Sequence, residues 1–264
     1  MEKRMGKILE VNNLTKIYCE GSIESKVVDN LSLEVEEGEF AIVMGTSGSG
    51  KTSFLHLIAG IDQPDGGKIN YLQKGLEDKI DFGHISEKAK TIFRRTNIGI
   101  VFQQQCLIPD LTVYENIMLP MMLDRKRKEK NSMKGTVLEL CRQFGLIEHT
   151  RKYPSQLSGG QQQRAAILRA IVNKPPVLLC DEPTGSLNSA QSDIVMEILE
   201  SLNQKGQSII LVTHDIKVAI RGSRVIYIED GHLEGELRFN SDTEKELYKQ
   251  REVELMSFLQ KRGW

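Results

Sequence analysis

The sequence predicts an α/β fold built on a largely parallel sheet covered by helices, and three observations carry that prediction. Short, nearly continuous apolar runs, the pattern of buried strands, alternate along the chain with segments of helical apolar spacing. One such run, Phe40–Met44, passes directly into the stretch Gly45, Thr46, Ser47, Gly48, Ser49, Gly50, Lys51, Thr52 and then into a helical segment. Another, at residues 177–180, ends on two adjacent acids, Asp181 and Glu182. The carboxyl ends of parallel strands are where ligands bind in open α/β sheets.

Taken in order, the chain opens with strand-like runs at residues 8–11 and 27–35, ahead of Phe40–Met44. After the glycine-rich stretch, the spacing of Phe54, Leu55, Leu57 and Ile58 suits a helix, and Gly60 suits its end. Residues 62–92 are polar and turn-rich, with Asp65-Gly66-Gly67 reading as a hairpin turn. A strand at 98–102 follows, and residues 112–149 read as mainly helical. The charged run Arg125, Lys126, Arg127, Lys128, Glu129, Lys130 interrupts them and reads as a solvated loop between helices rather than a lipid contact. A helix is expected from near Gly159 to about Asn173, then a strand at 177–180 and a helix from about Ser189 to Asn203. A strand at 208–213 and a last hairpin around Glu229-Asp230-Gly231 complete the pattern. No internal repeat or low-complexity tract interrupts it.

The 264 residues, 39% hydrophobic and 27% charged, describe an ordinary soluble globular chain long enough to bury a sizeable core. A formal net charge of −1 gives no reason for a nucleic-acid partner. Cys19, Cys106, Cys141 and Cys180 lie far apart, with no CxxC pair and no histidine at ligand spacing, and read as reduced structural thiols. Met1-Glu2-Lys3-Arg4 runs into mixed polar sequence rather than a signal-peptide core. No stretch reaches the roughly 18–20 apolar residues that span a bilayer, so action at a membrane would need another chain to supply the span.

Residues 45–52 fit G-x-x-x-x-G-K-[ST] completely. Glycines let the backbone fold tightly around an anion, so that successive N–H groups point at the β-phosphate of a nucleoside triphosphate. The loop ends at a helix N-terminus, whose partial positive charge adds to the attraction. Lys51 is expected to bridge the β- and γ-phosphates and the Thr52 hydroxyl to ligate Mg²⁺. Asp181 is expected to hold Mg²⁺ through water, and Glu182 to polarise the attacking water as general base.

Residues 157–164 read Leu-Ser-Gly-Gly-Gln-Gln-Gln-Arg. With this stretch the chain resembles the ATP-binding subunits of ABC transporters, whose hallmark is LSGGQ ahead of the acid pair. A Ser-Gly-Gly turn leading into a helix is an anion site by the same logic as the phosphate loop. The resemblance implies a P-loop NTPase core of ABC ATPase type, with an antiparallel β subdomain and a helical subdomain carrying the signature. It also implies a head-to-tail homodimer, in which Ser158, Gly159, Gly160 and Gln161 of one subunit close on the ATP held by Lys51 of the other. Tyr18 then matches the aromatic residue that stacks on adenine, and residues 45–53, Ser53 included, match the nucleotide contacts. Gln103 matches the glutamine that reaches Mg²⁺ and the attacking water, and His214 the histidine that contacts the γ-phosphate. The implied cofactors are ATP and Mg²⁺.

The resemblance covers roughly residues 7–231. It implies an ATP-binding domain at 1–231, containing a helical subdomain at about 104–165, and a C-terminal helical extension at 232–264. In that extension Leu255, Met256 and Leu259 form a helical stripe expected to pack on its own domain. One departure stands out. Gly185-Ser186-Leu187-Asn188 replaces the usual Ser-Ala-Leu-Asp. Asn188 can still cap the next helix, with Gln191 completing a capping box, but a negative charge near the subunit interface is lost. Cross-talk between the two sites is expected to differ while hydrolysis persists.

Residues 106–120, Cys-Leu-Ile-Pro-Asp-Leu-Thr-Val-Tyr-Glu-Asn-Ile-Met-Leu-Pro, are similar to the LxPxLTxxENxxLP stretch of one branch, as are Tyr153-Pro154-Ser155-Gln156. That branch holds the macrolide-export (MacB), lipoprotein-releasing (LolD) and cell-division (FtsE) ATPases, together with antimicrobial-peptide transport systems. The likeness implies a separate membrane permease and a place at the cytoplasmic face of the cell membrane. The work expected is export or extraction of peptides, lipids or antibiotics. The same engine could instead drive transmembrane signalling or cell-wall regulation. A soluble relative acting on DNA or ribosomes fits less well, because the chain has one nucleotide-binding unit and no long coiled-coil or zinc insertion.

Overall fold

The computed structural model describes residues 6–21, 23–72, 80–83, 85–123, 130–239 and 247–264. The N-terminal residues 1–4 and the charged run at 125–129 lie outside the described residues. In chain order the first elements are β1 (Lys7–Glu20), β2 (Ile23–Glu36), β3 (Phe40–Met44), α1 (Lys51–Ile58), β4 (Gly66–Tyr71) and β5 (Ile80–Asp81). Then come α2 (Glu87–Asn97), β6 (Ile98–Val101), α3 (Val113–Leu123), α4 (Lys130–Gln143), α5 (Gly159–Ile171), β7 (Val177–Asp181) and α6 (Ser189–Gln204). The chain closes with β8 (Ser208–Val212), α7 (Ile216–Ala219), β9 (Arg224–Glu229), β10 (His232–Arg238) and α8 (Tyr248–Gln260). Contacts divide it into two compact units, Met1–Lys90 with Asn203–Trp264, and Thr91–Leu202.

In the first unit one sheet is antiparallel, in the order β2-β1-β4-β5. Its two long strands exceed the apolar runs that announced them, because pairing continues through register shifts between Val11 and Leu14 and between Leu14 and Lys16. Asn13 takes φ 50° at the first of these, a conformation asparagine tolerates. Leu9, Val11, Leu14, Leu31, Leu33 and Val35 are buried from this sheet. In the same unit β3 runs parallel to β8 on one side and β9 on the other, and β10 returns antiparallel to β9. Every residue of β3 and β8 is buried, which is why Phe40–Met44 and residues 209–212 read as unbroken apolar runs.

Two expectations fail in this unit. Asp65-Gly66-Gly67 does not turn a hairpin: β4 starts at Gly66, and its partner at that end is the distant β1, with Thr15 opposite Gly66. The turn-rich reading of 62–92 also misses the start of α2, a helix whose first turn holds Glu87 and Lys90 in an ion pair at 3.0 Å.

The C-terminal segment, expected to be helical, opens with strand β10 before reaching α8. Arg251, Leu255 and Leu259 recur every four residues on the buried face of α8. Met256, expected in the stripe, lies outside it at 36% exposure. Arg251 takes a core position because its Nη1 donates to the carbonyls of Ile220 at 3.0 Å and Gly222 at 3.2 Å, while its guanidinium lies over the Phe239 ring. Beyond the helix, the Trp264 ring meets Tyr227 edge-on at 6.0 Å.

In the second unit β6 and β7 pair in parallel, with Val101 opposite Cys180. Helix α3 begins in a capping box. The Thr112 N–H and hydroxyl donate to Glu115 Oε2 at 2.8 and 2.6 Å, and the hydroxyl accepts from the Glu115 N–H at 3.3 Å. The hydrogen bonds from the Thr112 side chain and backbone hold the Glu115 carboxyl below its usual range. The fully buried Asn116 then closes the preceding loop. Its Oδ1 accepts from the Ile108 N–H at 2.8 Å, and its Nδ2 donates to the carbonyls of Ile108, Leu111 and Thr112 at 3.1, 2.9 and 3.1 Å. The Leu-Thr-x-x-Glu-Asn part of residues 111–116 is therefore a helix cap followed by a loop staple.

The four thiols divide. Cys141 and Cys180 are buried, and burial pushes the Cys141 thiol up to about 11. Cys19 and Cys106 are exposed, so the structural reading fits only the first pair.

Asn116→Ala would leave buried polar groups of the 108–112 loop unpaired, at a cost of about 2 kcal/mol or more. A denaturant midpoint equal to that of the parent protein would show that the staple carries no such weight.

Candidate functional site

The first unit holds the phosphate loop. Strand β3 delivers the chain at Met44, and α1 begins at Lys51. Between them Gly50 caps the helix at φ 95°, in the left-handed region, and a Cβ there would lie 2.0 Å from the Val27 carbonyl oxygen. The loop is also tied from outside. The Gly231 N–H donates to the Ser49 carbonyl at 3.1 Å, and the Asp29 N–H donates to the Gly231 carbonyl at 2.9 Å. Strand β2 and the β9–β10 turn thus grip the back of the loop. On its other side Thr46, Ser47 and Gly48 are exposed, as is Thr52 on the first turn of α1.

Lys51 is 7% exposed, and its Nζ donates to the carbonyls of Gly45 and Thr46 at 3.0 and 2.6 Å and to Ser49 Oγ at 3.3 Å. Its ammonium is therefore already drawn over the loop. The Tyr18 ring is 41% exposed, and its hydroxyl donates to Asp62 Oδ2 at 2.7 Å. Lys16 Nζ stands 5.1 Å from the same ring centroid and pairs with Asp62 Oδ1 at 3.1 Å. Partial burial works against the Asp62 carboxylate, yet hydrogen bonds from Tyr18, the Gln63 N–H and Lys16 hold its pKa below the usual value. The ring is thus fixed at its hydroxyl end, while the residue as a whole remains exposed.

His214 lies two residues beyond β8 and is exposed. The Thr213 N–H donates to the Val43 carbonyl at 3.1 Å, and Asp215 turns the chain by accepting from the Lys217 N–H at 2.7 Å. Because Val43 and Val212 are partners in the parallel pair, His214 and the phosphate loop leave the carboxyl ends of adjacent strands.

The second unit repeats that arrangement with the acids. Asp181 ends β7 and is 9% exposed, and Glu182 follows it. Gln103 follows the neighbouring β6, and its Nε2 donates to Glu182 Oε2 at 3.2 Å. Glu182 holds φ 41°, an unusual value for a residue with a side chain. The turn after it is closed by the Gly185 N–H donating to the Glu182 carbonyl at 3.1 Å. The two residues proposed from sequence to act on water are therefore in contact.

The signature opens α5. Ser158 Oγ accepts from the Gln161 N–H at 3.3 Å, and Gln161 Oε1 accepts from the Ser158 N–H at 2.9 Å, a complete capping box. Ser158 and Gly159 are exposed, whereas Gly160 is buried. A Cβ on Gly160 would lie 1.9 Å from Gln191 Oε1, so a glutamine of α6 occupies the room a side chain would need. Asn188 caps α6 by accepting from the Gln191 N–H at 2.9 Å, which is the backbone half of the box expected from sequence. The Gln191 side chain lies against Gly160.

Two contributors escaped the sequence reading. Arg169, in the last turn of α5, donates to the carbonyls of Cys106 and Gln105 at 2.6 and 3.0 Å, tying the signature helix to the segment after Gln103. His149 meets Gln161 Nε2 through its own Nε2 at 3.0 Å. Neither carries a motif: an arginine in the last turn of a helix and a histidine ending a single-turn helix give no periodic signal.

Comparison with known proteins places these parts. The ABC transporter family profile matches residues 28–185. The chain is 42% identical over 226 residues to the uncharacterized ABC transporter ATP-binding protein MJ1508 of Methanocaldococcus jannaschii, covering 86% of this chain and 97% of that one. It is 39% identical over 230 residues to the lipoprotein-releasing system ATP-binding protein LolD of Colwellia psychrerythraea, covering 87% and 86%. Among solved structures it is similar to the dimeric post-hydrolysis state of the ATP-binding cassette MJ0796 bound to ADP and Pi. The TM-score there is 0.80 at 38% identity, covering 89% of this chain and 100% of that one. It is also similar to cbiO1 from Clostridium perfringens, part of the ABC transporter complex cbiONQ, with a TM-score of 0.76 at 25% identity and coverage of 94% and 93%. With an intact phosphate loop, an acid pair and a capped signature in one α/β chain, the protein belongs to the ABC transporter family as an ATP-binding, ATP-hydrolysing subunit.

Proposed function

We propose that this subunit works as a homodimer that drives a separate membrane permease, closing on two ATP molecules and reopening after hydrolysis. Its work is export or extraction of peptides, lipids or antibiotics at the cell membrane. The observation that carries the reading is the exposed Ser158–Gly159 turn at the start of α5, a second anion-binding helix start in a chain that already has a phosphate loop. A head-to-tail dimer gives that second site a phosphate to meet. The dimeric state of the MJ0796 cassette and the lipoprotein-releasing role in the name of LolD support the dimer and the branch. Among the described residues no helix is long and apolar enough to cross a membrane, so the spans would belong to the permease. The subunit would sit at the cytoplasmic face through that partner.

In this reading adenine stacks on the exposed Tyr18, and the phosphates replace the backbone carbonyls now holding Lys51. Glu182 polarises the attacking water, with Gln103 fixing the carboxylate that does so. His214 would contact the γ-phosphate, and Ser158, Gly159 and Gly160 would meet the ATP of the second subunit. Among the described residues no three His, Cys, Asp or Glu side chains gather into a cation site. The residues that would hold Mg²⁺, as the family resemblance implies, are Thr52, Asp181 and Gln103, each offering an oxygen beside those of the phosphates. Such an oxygen set, poor in protein ligands, suits Mg²⁺. Bound there, Mg²⁺ would neutralise charge on the β- and γ-phosphoryl oxygens.

Glu182→Gln is expected to bind ATP, to lose at least about a hundredfold in turnover, and to accumulate an ATP-dependent dimer in sedimentation. A monomer under those conditions would contradict the shared-site mechanism. Ser158→Arg is expected to leave ATP binding by the monomer nearly intact while blocking hydrolysis. Loss of monomer binding would instead mean that the signature acts within its own subunit. For the permease, the tagged protein would be purified from native membranes and its partner's spans counted. A partner with few spans and a large external domain is expected, and a soluble partner or none would overturn the transport reading.

A further inference from the structure

We propose that His149 is a positioning residue for the signature, holding Gln161 through a neutral imidazole that accepts at Nε2 and carries its proton on Nδ1. The inference rests on the dimer reading above, in which Ser158 meets the nucleotide of a second subunit.

The hydrogen bonds around Gln161 leave one consistent assignment. The Ser158 backbone N–H can only donate, so the amide atom it meets at 2.9 Å is the oxygen, Oε1. The other amide atom is then the NH₂ group, which can only donate. It meets His149 Nε2 at 3.0 Å, so that ring nitrogen must present its lone pair. A neutral ring with a lone pair on Nε2 has its proton on Nδ1. An imidazolium would set two donors against each other at the same distance.

The cost of this arrangement is visible. His149 Nδ1 is buried and has no hydrogen-bond partner among the described residues. A buried donor left unpaired is unfavourable, and native structures keep few of them. His149 occupies the last position of the single-turn helix Ile147–His149, whose backbone is set by its N–H donating to the Leu146 carbonyl at 2.9 Å. The ring is thus delivered to Gln161 from outside α5. Both amide groups of Gln161 are engaged within its own subunit, one by Ser158 and one by His149. Gln161 therefore supports the Ser158 turn, and His149 fixes the rotamer that gives this support.

The test uses the full-length protein in the Glu182→Gln background, with His149→Ala and His149→Gln added separately. A glutamine can accept through its own carbonyl oxygen, whereas alanine cannot. His149→Ala is expected to weaken ATP-dependent dimerisation roughly three- to tenfold, the change a neutral hydrogen bond supports. His149→Gln is expected to recover most of that loss. Affinity of the monomer for a fluorescent ATP analogue should be unchanged in both, because the phosphate loop does not depend on this contact. Nitrogen-15 spectra of the imidazole should report the Nδ1–H tautomer in the otherwise unaltered protein. Dimerisation of His149→Ala as tight as the parent's, equal loss in both variants, or an Nε2–H tautomer would each overturn the proposal. If the Glu182→Gln parent itself stays monomeric with ATP, the dimer reading falls, and the tautomer alone decides the His149–Gln161 contact.

Discussion

The close approach of the Val27 carbonyl to the phosphate loop sets a condition on which much of the first unit depends. Gly50 has to be in the left-handed region with no side chain, because β2 passes where a Cβ would stand. The same strand holds the β9–β10 turn through Asp29, and that turn holds Ser49. Two segments far apart in sequence thus fix one loop from behind. Its front is left with exposed residues, a helix start and a lysine whose partners include two loop carbonyls and the Ser49 hydroxyl. Preorganisation of this kind means that an incoming phosphate meets donors already aligned, so little ordering has to accompany binding.

The second unit reaches the same end by different means. Its acids are held by the parallel pair β6–β7, which sets Gln103 and Glu182 side by side at the strand ends. Its signature is held by side chains: the reciprocal bonds of Ser158 and Gln161, the ring of His149, and the glutamine that fills the space over Gly160. Backbone constraint dominates around the phosphate loop and the acids, and side-chain constraint around the signature. Substitutions near the phosphate loop should accordingly act through conformation, and those near the signature through lost hydrogen bonds.

What could be read from the sequence follows this division. Phe40–Met44 and the run ending at Asp181 were legible because burial on both faces leaves no polar residue to blur the signal. The hairpin expected at Asp65-Gly66-Gly67 failed because glycines there begin a strand whose partner is some fifty residues earlier in the chain, a pairing local spacing does not encode. Helix α2 escaped notice because few of its residues are apolar, and Phe93 alone among its large side chains reads as core. In α8 the stripe was assigned to Met256 rather than Arg251, since a buried arginine looks apolar to no scale until the carbonyls of Ile220 and Gly222 are in view. The motif residues were recognised at once, yet their supports, His149 and Arg169, were not. Supports are chosen by distance in space, and a single sequence shows only distance along the chain.

The grip of Arg169 on Gln105 and Cys106 has a mechanical meaning. Its guanidinium offers two parallel donors to two consecutive carbonyls, a joint that resists both sliding and twisting. Because Arg169 rides on the helix that begins at Ser158, the joint makes that helix and the strap after Gln103 the two arms of one lever. A push delivered to the strap would swing the signature, and a pull on the signature would drag the strap. Force and chemistry would then share a single rigid link.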